Sequence, residues 1–217
     1  MGRRPHSAGG PHAEIANSAA RMLAEGSAAD FDSARRKAAR ELGAEHRRYL
    51  PDNLELHRAL VEYLELFCAD QQAARIAHLR EVALKALRLL AQFAPVLVGP
   101  VLYGTAVEFT PVSLQLRCDE FESVTRFLLA RRTPYELVDA QLRMSGSQAP
   151  QRVARIALGL FDEPVELTVL PTHGGHQALS QLDGRAMQRA DDAALAALLD
   201  SGVVFIGDFV RRPAARY

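Results

Sequence analysis

Tryptophan is absent from the 217 residues, and cysteine occurs only twice, as Cys68 and Cys118. Two cysteines without a C-x-x-C partner exclude a disulfide framework and the usual zinc-finger spacing. They are expected to be buried, reduced thiols in a cytosolic protein. No apolar run approaches the length that crosses a bilayer, so no membrane-spanning segment is expected. An excess of one charge is missing too: 26 basic residues face 26 acidic ones. That balance removes any global drive toward nucleic acid or an anionic membrane. Lysine is nearly absent, with only Lys37 and Lys85, and arginine supplies the remaining basic residues. Arginine suits bidentate contact with phosphate or carboxylate, but the general Ala and Arg richness accounts for the bias without such a role.

What is present is a core-forming chain of one large domain or two small ones, with 48% of its residues apolar. The opening "MGRRPHSAGGPH" is basic and is followed by an amphipathic stretch, not the apolar centre of a secretory signal. Residues 1–11 are expected to form a disordered basic arm. From there to residue 94 the pattern is helical. Ile15, Ala19, Met22 and Leu23 form one stripe closed by Gly26, and Asp30 caps a second helix with Phe31, Ala34, Ala38 and Leu42 on one face. Asp52 and Glu55 have capping-box spacing ahead of a face made by Leu56, Leu60, Tyr63, Leu64 and Phe67. A fourth helix over about 72–92 carries Ile76, Leu79, Ala83, Leu87 and Leu90, and stops before Pro95.

Beyond Pro95 the period changes. Val96 to Tyr103 reads as a strand that Pro100 assigns to an edge or bulge. Val112, Leu114 and Leu116 alternate with polar residues as a half-buried strand, and "DEFESVTRFLLARR" returns to helical spacing. There Asp119 and Glu120 are read as first-turn acids complementing the helix dipole. "YELVDAQLRM", "RVARIALGLF" and "PVELTVLP" give three more strands. A long loop, "THGGHQALSQLDGR", precedes a helix over about 191–200, and "VVFIGDFV" is a last strand or a buried tail. The expected fold is α+β: an N-terminal helical region (12–94), then a mixed sheet of about five strands with flanking helices (95–217).

The order of elements over about 93–171 resembles the nucleotidyltransferase superfamily, the fold of polymerase-β-like enzymes. A helix leads to an apolar strand, a glycine loop in "LVGPVLYGTA", a second strand, a helix, and a later strand bearing an acid. The resemblance implies that Gly104 and Thr105 stand at the family's Gly-Ser loop, contacting a phosphate through backbone and hydroxyl. It sets Thr110-Pro111-Val112-Ser113-Leu114 on the Ser-Asp-x-Asp-Leu strand, so that Pro111 and Ser113 replace both metal-binding aspartates. Glu166 matches the third carboxylate. Two Mg²⁺ ions need several carboxylates around them, so the expectation is a degenerate member without catalysis that serves binding, regulation or scaffolding, with a nucleotide or protein partner and no cofactor. The alternative is a divergent, active Mg²⁺-dependent transferase that uses Glu166. The whole chain also resembles a group of uncharacterised bacterial proteins with a helical front and this rear half. The residues that carry this likeness are "DFDSARRKAARELG", "LPDNLEL" and "LVGPVLYGTA", and it bears on architecture.

Two further constellations stand apart from that resemblance. Arg35, Arg36, Lys37 and Arg40 crowd the polar side of the second helix and form a candidate phosphate grip for nucleic acid, against the plainer reading of a solvated face. His173 and His176 make an H-x-x-H pair, but on a Gly-Gly loop with too few local ligands to complete a metal site. Ser113 lacks a nucleophile elbow and Cys118 lacks a histidine partner, so a nucleophilic triad is not expected.

Overall fold

A computed structural model describes residues 10–207, apart from 148, 174–176 and the side chain of Arg47. Among the described residues, seven α-helices and five strands follow the α+β order expected from the sequence. Compactness divides the chain at Ala69/Asp70: the residues before it, with Gly207, make one unit, and Asp70–Ile206 makes the other. Pro95 marks the change of period, but the fourth helix already packs with the strands that follow it.

The first unit holds α1 (Pro11–Ala24), α2 (Phe31–Glu41) and α3 (Asn53–Phe67), with a single 3-10 turn at Arg47–Tyr49. Helix α1 starts at Pro11, inside the segment expected to be an arm; residues 1–9 lie outside the described residues. Proline suits this first helical position, where its missing N–H would have had no intrahelical partner. Asp30 and Asp52 each cap a helix through complete capping boxes, with Ser33 and Glu55 as the reciprocal partners. The expected stripes are buried through Ile15, Ala19, Met22, Leu23, Ala34, Ala38, Leu56, Leu60 and Leu64. Two residues depart from them. Leu42 is 42% exposed and Phe67 is 70% exposed. Each closes its helix, Leu42 as the C-cap and Phe67 as the last residue, and the Phe67 ring lies against Tyr63 at 4.8 Å.

The second unit is built on α4 (Ala69–Leu89) and a five-stranded sheet of β1 (Val96–Val98), β2 (Val112–Arg117), β3 (Tyr135–Leu142), β4 (Gln151–Leu160) and β5 (Glu163–Leu170). The spatial order is β1-β2-β5-β4-β3; β2 and β5 pair in parallel, and the other pairs among the described strands are antiparallel. Short helices α5 (Pro100–Tyr103), α6 (Phe121–Ala130) and α7 (Asp192–Ser201) complete it. Because strand side chains alternate, Leu114, Leu167 and Ile156 share one face. There they join Ile76, Leu79, Leu87, Val124 and Leu128 in a continuous core.

The strand expected over 96–103 ends at Val98. Gly99 turns the chain at φ 77°, and Pro100 then occupies the first position of α5. Proline ends the strand for the same reason that it opens the helix: it has no N–H to give a ladder, and its φ is already helical. The edge position expected for this strand holds, since β1 pairs with β2 on one side only, with a single bridge from Leu97 to Ala190 on the other. The β4–β5 connection is a two-residue hairpin in which Phe161 and Asp162 both take positive φ, 54° and 65°. The tail at 203–206 joins no strand ladder, and the Ile206 N–H donates to the Tyr103 carbonyl at 3.1 Å.

Candidate functional site

The end of β1, the strand β2 and the strand β5 meet where the resemblance would put catalytic carboxylates. Register places Val98, Ser113, Glu166, Ala157 and Glu136 in one row across the sheet, on the face opposite the core. The next row is Val96, Gln115, Thr168, Arg155 and Val138. Ser113 stands beside the Gly99 turn: a Cβ built on Gly99 would lie 3.8 Å from the Ser113 Cβ. Glu166 is the carboxylate next to Ser113, and Arg155 from the neighbouring strand reaches it, Nη1 to Oε2 at 3.2 Å. Both side chains are about three-quarters covered, at 27% and 29% exposure, so the pair is partly shielded from water. Gln115 and Thr168 are buried at 7% each, and the Gln115 amide donates to the Met187 sulfur at 3.3 Å.

This donor set does not fit a two-metal centre. Among the described residues no group of three or more His, Cys, Asp or Glu side chains comes together to hold a metal ion. Ser113 offers a neutral hydroxyl, Glu166 is already engaged by a guanidinium, and Glu136, the other carboxylate of the row, lies two strands away from it.

The loop at Gly104 and Thr105 is organised from α4, not around an open cradle. The N–H groups of both residues donate to the Pro100 carbonyl at 2.9 Å. Gln72, 4% exposed, donates to the carbonyls of Gly104 at 2.7 Å and Ala106 at 3.0 Å, while Arg75 donates to Val107 at 3.0 Å. Gly104 has φ 88°, and a Cβ there would fall 2.1 Å from the Val204 carbonyl oxygen. The glycine therefore permits close approach of 203–206, the second of the two uses that glycine has in such turns. Thr105 is 4% exposed. Neither N–H is left for a phosphate in this arrangement.

Arg80 was not singled out by the sequence, and it holds the same region together. It is 2% exposed and donates to the carbonyls of Val101 at 3.2 Å, Leu102 at 2.8 Å and Val204 at 2.7 Å, as well as to Val203. Burial lowers its pKa from the ordinary guanidinium range to about 10, so it stays charged at neutral pH. Gln72, Arg75 and Arg80 interrupt the apolar stripe of α4, and that interruption was the available signal. Arg155 had a similar one, lying between Val153 and Ala157 on a strand that otherwise reads as core.

The basic residues of α2 separate. Arg35 is half-buried, donating to Asn53 and standing 3.4 Å from Asp32, and Lys37 donates to the Ser27 carbonyl at 3.3 Å. Arg36 and Arg40 are exposed. His173 is 94% exposed with its Nδ1 3.3 Å from Asp119, and His176 lies outside the described residues. Asp119 is not a helix-dipole acid. Its carboxylate accepts from the Thr172 N–H at 2.8 Å and from the Thr172 hydroxyl, and these bonds hold its pKa below the usual carboxylate value. Cys68 and Cys118 are both free and half-buried rather than buried. No helix among the described residues is long and apolar enough to cross a membrane. No protein-family model matches the chain, and no curated protein matches it.

Proposed function

We propose that this is a nucleotidyltransferase-like protein that has kept the sheet and lost the metal clamp, working in the cytoplasm by binding, regulation or scaffolding. The observation that carries this reading is the Ser113–Glu166 row. Two-metal transfer needs carboxylates that polarise the triphosphate and hold both ions. Here the neighbouring position is a serine, and Arg155 neutralises the glutamate. With the N–H groups of Gly104 and Thr105 turned inward, recognition of a partner falls to surface side chains, and a protein partner is favoured over a nucleotide at this loop.

The test is turnover of the four NTPs by purified protein with and without Mg²⁺, alongside thermal-shift titrations, because a ligand bound to the native state raises apparent stability. The expected result is no metal-dependent NTP consumption. Consumption that requires Mg²⁺ and disappears in Glu166→Ala would overturn the reading and establish the divergent transferase.

A further inference from the structure

The carboxyl ends of the parallel pair β2 and β5 lie side by side, and the chain leaves them in opposite directions. From Arg117 it runs into α6, whose Val124 and Leu128 pack on the core face with Leu114 and Leu167. From Leu170 it crosses to the other face, where Met187 receives the Gln115 amide. The two exits are tied by the Cys118 N–H to the Leu170 carbonyl at 2.9 Å and by Thr172 to Asp119. A divergence of this kind at the ends of adjacent parallel strands leaves a crevice, and in open sheets that crevice is where ligands sit. This sheet has one there: a cavity of about 270 Å³ at the end of the sheet, bounded also by the start of β4.

Its lining has one sign of charge. Arg117, Arg152 and His173 line it together with apolar residues that include Met144, Val153 and Leu170, and among the described residues no Asp or Glu does so. Arg117 uses Nη1 on the Pro171 carbonyl at 3.0 Å, which fixes its guanidinium and leaves the other N–H groups to donate elsewhere. Asp119 accepts from Thr172 and stands at the Nδ1 edge of His173, so the Nε2 edge of the ring is not engaged by it. Planar guanidinium groups bind phosphate and carboxylate oxygens in pairs.

We propose that this crevice binds a small organic anion, its phosphate or carboxylate held by Arg117, Arg152 and His173 and its short apolar part resting on Met144, Val153 and Leu170. The site lies at the opposite end of β2 from Ser113 and does not depend on the reading of the Ser113–Glu166 row.

The experiment is calorimetric titration of the full chain with inorganic phosphate, phenyl phosphate and benzoate at constant ionic strength. The wild type is compared with Arg117→Gln, with the exposed variant Arg152→Gln, and with Arg126→Gln on α6 as a charge control. Saturable binding is expected for phenyl phosphate or benzoate, about tenfold tighter than for inorganic phosphate. The tighter of the two aromatic probes identifies the head group. Arg152→Gln is expected to weaken it about tenfold while Arg126→Gln leaves it unchanged. Absence of saturable binding by both aromatic probes would overturn the proposal. So would affinity that ignores Arg152→Gln, or that falls equally in Arg126→Gln. If Arg117→Gln fails to fold, the Arg152→Gln comparison still decides.

Discussion

Gly104 and Gly43 show how one residue type serves two purposes. Both have positive φ, 88° and 63°, but a Cβ at Gly43 meets nothing within 4 Å while one at Gly104 collides with the Val204 backbone. Gly43→Ala should therefore cost only the left-handed backbone penalty, about 1 kcal/mol. Gly104→Ala should cost at least about 3 kcal/mol, because backbone must move. Urea midpoints of the two variants check the contrast. His57 offers a second test at this scale. It is 2% exposed, and burial, with Arg58 nearby, lowers its pKa from 6.5 to about 4. The unfolded chain thus takes up the proton first. The stability held by neutral His57 is complete above pH 6.5 and is lost as the pH falls toward 4. Between pH 7 and pH 5 the loss should be about 2 kcal/mol. Urea unfolding at the two pH values should show this slope in the wild type and a flatter one in His57→Gln.

The β4–β5 hairpin is the element whose local sequence fits its geometry least. A two-residue turn with positive φ at both positions prefers Asn-Gly, because bulky residues are strained there. Phe161 and Asp162 occupy it instead, and Phe161 is 45% exposed with Lys85 6.0 Å from its ring centroid. Replacing the pair by Asn-Gly should stabilise the fold by about 1 kcal/mol, reduced by whatever the cation–ring contact contributes. A rise in Tm would check it, and a fall would show that the ring packing outweighs the strain. The caps belong to this scale as well. Asp52→Ala should cost about 1 kcal/mol, since it removes the acceptor of the Glu55 N–H at 2.8 Å. Helices α1 to α4 and strand β2 were legible from period and caps because each buries a regular stripe, while β3 to β5 were legible as apolar runs between turn residues. The segment 96–103 was not. Its residues are apolar throughout, so period could not tell a strand from a strand followed by a buried helical turn.

Across the molecule, protection should follow position in the sheet. Strands β2 and β5 are paired on both sides and lie over the core, while β3 is an edge with Leu137 64% exposed and Val138 39% exposed. Amide exchange is expected to be slowest in β2, β5 and the inner turns of α4, and fastest in the outward amides of 136–139. Equal protection of β3 and β5 would mean that another chain covers that edge in solution. Of the candidate site, Glu166 was legible as an acid on a strand, whereas its pairing with Arg155 depends on the β4–β5 register, which no local pattern states.

The amino-acid order by itself determined the α+β class, the caps at Asp30 and Asp52 and the alternation along β2, because each rests on spacing within one segment. The tertiary structure alone decided that β2 lies parallel to β5, that Ser113 neighbours Glu166, and that Gly104 admits the chain at Val204. It also brought Arg117 and Arg152 to one crevice from strands that do not touch. These facts join residues tens of positions apart, and it is packing between elements, not propensity within them, that sets such distances.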